Sequence, residues 1–445
     1  MTAARPASGE LAPATFLQRG LWPRLRHAAP GAAFAVRAAR FTGRGQLDRL
    51  HAAIREVHAG LPALDVSLVE GPDGRLGLGR HGALDLRQHD LRPDGAGERD
   101  AACLALLRRD LERPVPAGEA LTRFHTVRLA DDEVVLGLVS HELVLDERSL
   151  YLVLGAVLQA YQGSFRPSRY RDFTQLTDFY PVGPAAAVSR RAWWSAWLTG
   201  CPLPGERPAA RQAQTTRIGI SGPDWRALAD SGGTMRDNGS LGVAALAAWA
   251  VAGITGRPER PSALATVLDL RDYCDLGPVV GPLTDRVPFR VELPAGPGPS
   301  FRQLFRKTQV GVLRSTTHYL PYGELVEVGT GLGAIAAPRT AALWDVSAHL
   351  CANPPGSGRD RGPEHGISVE LFREAELLST GAAADPRDWD GTNAEIRMGE
   401  RAGGMEVVID VNPLHRGYAA GRLADRIGAA VTAAVADPEA PLVVT

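Results

Sequence analysis

The chain has 445 residues, enough for two well-packed lobes, and its 44% hydrophobic and 22% charged content is that of a globular protein, not a disordered one. A formal net charge of -1 leaves no basic footprint for nucleic acid or an anionic membrane surface. No apolar run reaches the ~18 residues needed to span a bilayer, and the start of the chain lacks the apolar core of a signal peptide, so a soluble cytoplasmic protein is expected.

Strand and helix patterns alternate along the chain. Residues 32–37 read as a strand, 47–57 as a helix of apolar spacing, 64–69 as a strand and 98–111 as a helix. A strand over 121–129 leads into the apolar run 134–139, a buried strand. Residues 149–161 read as a helix opened by a Ser149 cap. A Pro- and Gly-containing stretch, 163–184, marks the lobe boundary, giving lobes of 1–180 and 181–445. The second lobe opens with a helix over 191–198, whose Trp193, Trp194 and Trp197 fit a core better than a binding platform. An apolar helix follows at 241–252, strands at 262–268 and 286–293, and a helix at 301–313. Further strands are expected at 345–350, 367–372, 394–398 and 405–411, a mobile loop at 353–363, and a last helix at 418–434. The four cysteines, Cys103, Cys201, Cys274 and Cys351, form no C-x-x-C pair and are expected to be reduced.

The turn between the 134–139 strand and the next helix holds His141, Glu142, Asp146 and Glu147. Three readings compete there. The first is a surface turn in which Asp146 caps the helix. The second is a zinc site of the His-Glu-x-x-His type, which fails because Leu145 stands where the second His is required, and no other cluster has ligand spacing. The third is a derivative of an acyl-transfer motif.

Further matches, in register, weigh for the third. Thr15-Phe-Leu-Gln18-Arg-Gly-Leu21-Trp22 is similar to S-x-A-Q-x-R-L-W, and Val57-His58-Ala-Gly-Leu61 to R-H-E-x-L-R. His141-Glu142-x-x-x-Asp146-Glu147 lies on H-H-x-x-x-D-G, with Ser149 matching the serine that often follows. Tyr170-Arg-Asp172-Phe173 is similar to Y-x-D-F. Arg271 matches an arginine ten positions before a glycine, here Gly281, within Val280-Gly281-Pro-Leu-Thr-Asp285-Arg-Val-Pro-Phe-Arg290. His318-Tyr-Leu-Pro321-Tyr322-Gly-Glu-Leu325-Val326 resembles H-Q-D-V-P-F-E-x-L-V. Together these identify a resemblance to the condensation-domain family of nonribosomal peptide synthetases.

The resemblance implies an α/β fold of two chloramphenicol-acetyltransferase-like lobes in a V-shaped pseudodimer, with a tunnel between them. It implies no bound cofactor or metal. The partners it implies are peptidyl or acyl carrier proteins, whose phosphopantetheine arms bring the substrates. Asp146 and Arg271 are implied as a structural ion pair, and Glu147 and Ser149 as tunnel-lining residues. The second motif His, the family's catalytic residue, is Glu142 here; beside it stands His141. The motif Gly is Glu147, whose carboxylate would repel that of Glu142 unless protonated or paired with an Arg. Two functions follow. One is a free-standing, monomeric enzyme of natural product biosynthesis that forms an amide, ester or ring with Glu142 as base. The alternative is a non-catalytic protein, like the X domains of glycopeptide synthetases, that recruits a tailoring enzyme, such as a P450, or a carrier protein. His318 and His349 are read as structural.

Overall fold

The computed structural model describes residues 12–25, 33–43, 47–70, 76–93, 95, 98–111, 119–199, 214–231, 238–255, 262–293, 298–333, 343, 346–350, 367–371, 394–401, 403–411 and 419–442. They fall into two compact units. The first comprises Met1–Pro181, Asp269–Thr284 and Pro354–Asp388; the second comprises Val182–Leu268, Asp285–Asn353 and Trp389–Thr445.

The first unit is built on a five-stranded mixed sheet. Its order is Ile367–Leu371, Phe34–Gly43, Glu133–His141, Thr122–Ala130 and Asp85–Asp90, antiparallel except for the last pair. The central strand, Glu133–His141, is apolar from Val134 to Val139 because helices cover both of its faces. On one face Val135 and Val139 pack with Phe34, Val36 and Leu107 of the helix Arg99–Leu111. On the other, Leu136 and Leu138 pack with Ile54 and Val57 of the helix Leu47–Gly60, and with Val153 and Val157 of the helix Glu147–Tyr161. Gly137 permits the first packing: a Cβ there would meet Leu107 Cδ2 at 2.4 Å. The strand Glu133–His141 and the helix Glu147–Tyr161, called here the signature strand and signature helix, therefore leave the core as a rigid pair.

The second unit holds a six-stranded mixed sheet in the order Thr284–Val291, Ser262–Asp269, Val346–Leu350, Ala394–Arg401, Gly404–Val411 and Gln214–Ser221. The helix Asn238–Thr255 is almost wholly apolar because it is internal, packed between the helices Phe301–Thr317 and Ala420–Ala436. Trp194 of the helix Pro184–Thr199 is fully buried and its indole donates to His318 O at 2.7 Å. Trp193 stacks on the His318 ring at 4.5 Å, so these groups are used in packing. Burial pushes the Asp285 carboxyl up to about 6, although it accepts from Tyr319 Oη at 2.7 Å and Tyr322 N at 3.0 Å.

Several elements lie outside the sequence expectation. The strands Leu76–Arg80 and Asp85–Asp90 are too rich in glycine or polar residues to read as strands, and are made by pairing with neighbours. The exposed edge strand Gln214–Ser221 and the helices Gly222–Asp230 and Tyr322–Gly331 were likewise unmarked. Cys103 is buried, which pushes its thiol up to about 12, and among the described residues neither Cys103 nor Cys274 forms a disulfide. The expected loop at 353–363, Cys201 and Cys351 lie outside the described residues, as does the His349 side chain. Among the described residues no helix is long and apolar enough to cross a membrane.

Candidate active site

The signature strand ends at His141, and the chain then curls around that residue's carbonyl, which accepts from Val144 N at 2.8 Å and Leu145 N at 3.1 Å. Glu142 N donates to Ala33 O at 2.7 Å, and Gln18 Nε2 donates to Leu143 O at 2.6 Å. Gln18 is fully buried and is itself fixed by the Thr15 N–H, which donates to its Oε1 at 2.8 Å. The opening sequence motif thus pins the turn from outside its own strand.

The signature helix starts at Glu147, not Ser149. Asp146 is the N-cap, in extended conformation, and its Oδ1 accepts from Ser149 N at 2.8 Å. The Ser149 hydroxyl is engaged elsewhere: it donates to Gly281 O at 2.8 Å and accepts from Gly281 N at 2.8 Å and Arg271 Nη2 at 2.7 Å. Expected in a tunnel wall, Ser149 is fully buried within this network.

Arg271, 1% exposed, lies at its centre. Its guanidinium donates to Asp146 Oδ2 at 2.8 Å and Oδ1 at 3.0 Å, the bidentate geometry that suits a planar fork. The remaining N–H groups reach Val279 O and Gly281 O, both at 2.7 Å, and Asp269 Oδ1 at 3.1 Å. Asp146 Oδ2 also accepts from Leu283 N at 2.8 Å. Arg148 adds ion pairs at 2.7 Å to both Asp269 and Asp272. Gly281 is required where it stands, since a Cβ would meet Phe173 Cβ at 2.3 Å. One segment, Asp269–Leu283, therefore clamps the start of the signature helix.

His141 is 7% exposed, and its ring meets the Phe34 ring edge-on at 5.1 Å. Its Nδ1 faces the Leu143 peptide N–H at 3.1 Å and must therefore accept, which puts the proton of the neutral ring on Nε2. Burial, with the Arg123 guanidinium adding repulsion, holds the imidazole down at about 4. The ring is neutral at pH 7 and presents a donor, not a base, at Nε2.

Glu142 and Glu147 are both half-buried. Glu147 Oε1 pairs with Arg37 Nη2 at 2.8 Å, and the Arg37 side chain is only 4% exposed. The Arg37 guanidinium also lies 5.2 Å from the centre of the Tyr151 ring and donates to Val36 O at 2.7 Å. The charge that replaces the motif glycine is thus matched by a buried cation on the neighbouring strand. Arg37 went unassigned in the sequence. Its one signal was a charge amid Ala33-Phe-Ala-Val and Ala38-Ala39, since a cation in an apolar strand needs a partner.

Chemically, the turn holds a carboxylate at position 142 beside a neutral imidazole, over a frame whose own charges are paired. Among the described residues no group of three His, Cys, Asp or Glu side chains is placed to hold a metal ion.

Comparison with known proteins places this frame. A search of curated proteins returns no match. A crystal structure of tallysomycin biosynthesis protein TlmII is 41% identical, covering 97% of this chain and 100% of that one, with a TM-score of 0.79. The first condensation domain of the calcium-dependent antibiotic synthetase, in complex with a substrate analogue, is 17% identical over 98% of both chains, with a TM-score of 0.73. The X-domain in complex with OxyB from teicoplanin biosynthesis is 20% identical, covering 99% of this chain and 96% of that one, with a TM-score of 0.70. The family model described as Condensation domain matches residues 9–330, which include the pinning Gln18, the signature turn and the clamping segment. With its fold and most of its length in agreement, the chain belongs to the condensation-domain family of nonribosomal peptide biosynthesis.

Proposed function

We propose that the protein is a condensation-type acyltransferase acting on carrier-protein thioesters, with Glu142 in the role of the usual catalytic histidine. The observation that carries this reading is the state of charge around the turn. Asp146 is paired with Arg271 and Glu147 with Arg37. The repulsion that two adjacent carboxylates would impose on Glu142 is thereby relieved, and a second-position carboxylate stands on an intact frame.

In this mechanism the phosphopantetheine arm of one carrier protein brings the acyl thioester. An amine or hydroxyl of the acceptor attacks the thioester carbonyl. Glu142 takes the proton that the nucleophile loses, the tetrahedral adduct collapses, and the pantetheine thiolate leaves. Holding the two groups together supplies much of the rate. His141 remains neutral and positions the turn, with Nε2–H as a donor.

The test is Glu142→Gln, assayed for transfer from acyl-loaded carrier proteins to small amines and alcohols. Loss of a general base predicts a rate lower by ~10²–10⁴-fold with the fold intact, and Glu142→His should keep activity. An unchanged rate in Glu142→Gln would overturn the assignment. One observation favours a second reading: acids at positions 142 and 147 depart from the motif at both chemical positions. On that reading the protein recruits a tailoring enzyme, as the teicoplanin X-domain is seen with OxyB. Binding of a P450 by this protein, with no transfer by either form, would favour it.

A further inference from the structure

The helix Phe301–Thr317 carries Arg302, Arg306, Lys307 and Arg314 and no acidic residue, in a chain whose net charge is -1. Lys307 is the only lysine of the sequence. The helix is firmly built. Ser300 and Gln303 form a capping box at its start, and Phe301, Leu304, Phe305 and Thr308 are buried. Gly311 lets it approach the adjacent strand, because a Cβ there would meet Arg290 O at 2.4 Å.

That packing fixes what faces out. Arg306, Val310, Leu313 and Arg314 follow the i, i+4, i+7, i+8 spacing of one helical stripe. All four are exposed, Val310 at 46% and Leu313 at 59%. Arg302 pairs with Glu439 at 2.9 Å. Among the described residues, Arg306, Lys307 and Arg314 form no ion pair. Single exposed aliphatics are ordinary. Two of them between cations, on a helix with no anion, form an apolar centre with a basic rim, and that pattern selects a complementary protein surface. A nucleic acid would have no use for the aliphatic pair, and a membrane would require a wider apolar face.

We propose that this face docks a carrier protein, engaging a helix that presents acidic side chains around a short apolar centre. The proposal rests on the carrier-protein reading above and names the surface used. The two readings fail apart: equal binding by wild type and the charge-reversed variant overturns this surface and leaves the Glu142 chemistry standing, whereas an unchanged rate in Glu142→Gln overturns that chemistry and leaves the surface standing.

The experiment measures binding of a panel of purified holo carrier proteins of nonribosomal peptide synthesis to the full chain, at low and high salt. The forms compared are wild type, Arg306→Glu/Arg314→Glu, Leu313→Ser, and Arg422→Glu as a control on the exposed side of another helix. Circular dichroism and melting temperature report that each variant is folded. The expected result is salt-sensitive binding of at least one carrier protein, weakened at least ~10-fold by the charge reversal, chiefly through the association rate. Leu313→Ser should weaken it through dissociation, and Arg422→Glu should match wild type. Equal binding by wild type and the reversed variant, or no carrier bound by either, overturns the proposal. So does tighter binding of wild type to phosphatidylglycerol vesicles or duplex DNA than to any carrier protein.

Discussion

Replacing Asp146 by alanine would remove the anion from a guanidinium that is 1% exposed. Orphaning one partner of a buried pair costs ~3–5 kcal/mol. Asp269, 3.1 Å from the same guanidinium, remains as a partial counter-ion and moves the figure toward the lower end, ~3 kcal/mol. The lost cap at Ser149 N adds ~1 kcal/mol. The sum, ~4 kcal/mol, is a large part of the ~5–15 kcal/mol that holds a typical domain, so the variant should fold but open easily at the turn. Because two units need not unfold together, hydrogen exchange of peptides covering 133–161 is the better assay. Exchange there should be faster by ~10³-fold, since ~1.4 kcal/mol is a factor of ten. Asp146→Asn keeps the cap and should lose less. Adding Arg271→Met to Asp146→Ala removes the orphaned cation and should recover at least ~1 kcal/mol. A change of less than ~10-fold in exchange, or a double variant weaker than the single, would refute the argument that the pair holds the turn.

The same physics applies to Glu147. Restoring the motif residue with Glu147→Gly should destabilise by ~2 kcal/mol, reduced from the fully buried case because the Glu147 side chain is 27% exposed. Arg37→Met in the same chain should recover most of it; urea midpoints decide, and stabilisation by the glycine alone would count against the pair. His141 predicts a pH dependence. Its folded pKa is lowered to about 4 from 6.5, so the unfolded chain binds the proton more tightly. Its contribution to stability is whole above pH ~6.5 and is lost as pH falls toward ~4, up to ~3 kcal/mol. His141→Gln should flatten that slope in urea unfolding between the two values, and an unaltered slope would show that the ring is not held neutral by the fold.

The frame of the site was legible because its parts lie in short motifs. Asp146, Ser149, Arg271 and Gly281 were each matched in sequence, and the structure joins them in one hydrogen-bond network. Long apolar elements such as the signature strand and the helix Asn238–Thr255 announced themselves by pattern, because they are covered on all sides. What stayed hidden depends on partners distant in sequence. Nothing local tells that Arg37 faces Glu147, or that Asp269 and Asp272 both meet Arg148. The start of the signature helix was misplaced for a related reason. Serine and aspartate are both good caps, and Ser149 is excluded only by Gly281 taking its hydroxyl. The strand Asp85–Asp90 was missed because its polar side chains are tolerated only through ladder bonds to Thr122–Ala130.

The clamp on the signature helix also bears on the order in which the molecule can be made. Asp146 waits for Arg271 and Leu283, 125 and 137 residues further on, and the sheet beneath it gains its edge strand only at Ile367–Leu371. As the chain leaves the ribosome, its first 181 residues hold the motif but not its clamp. Contacts of such separation form slowly, and until they do the start of the helix carries an unmatched aspartate and an open sheet edge. Cutting the gene at the apparent lobe boundary would therefore yield a fragment that aggregates, whereas a fragment intended to fold must bring the 269–284 segment with it.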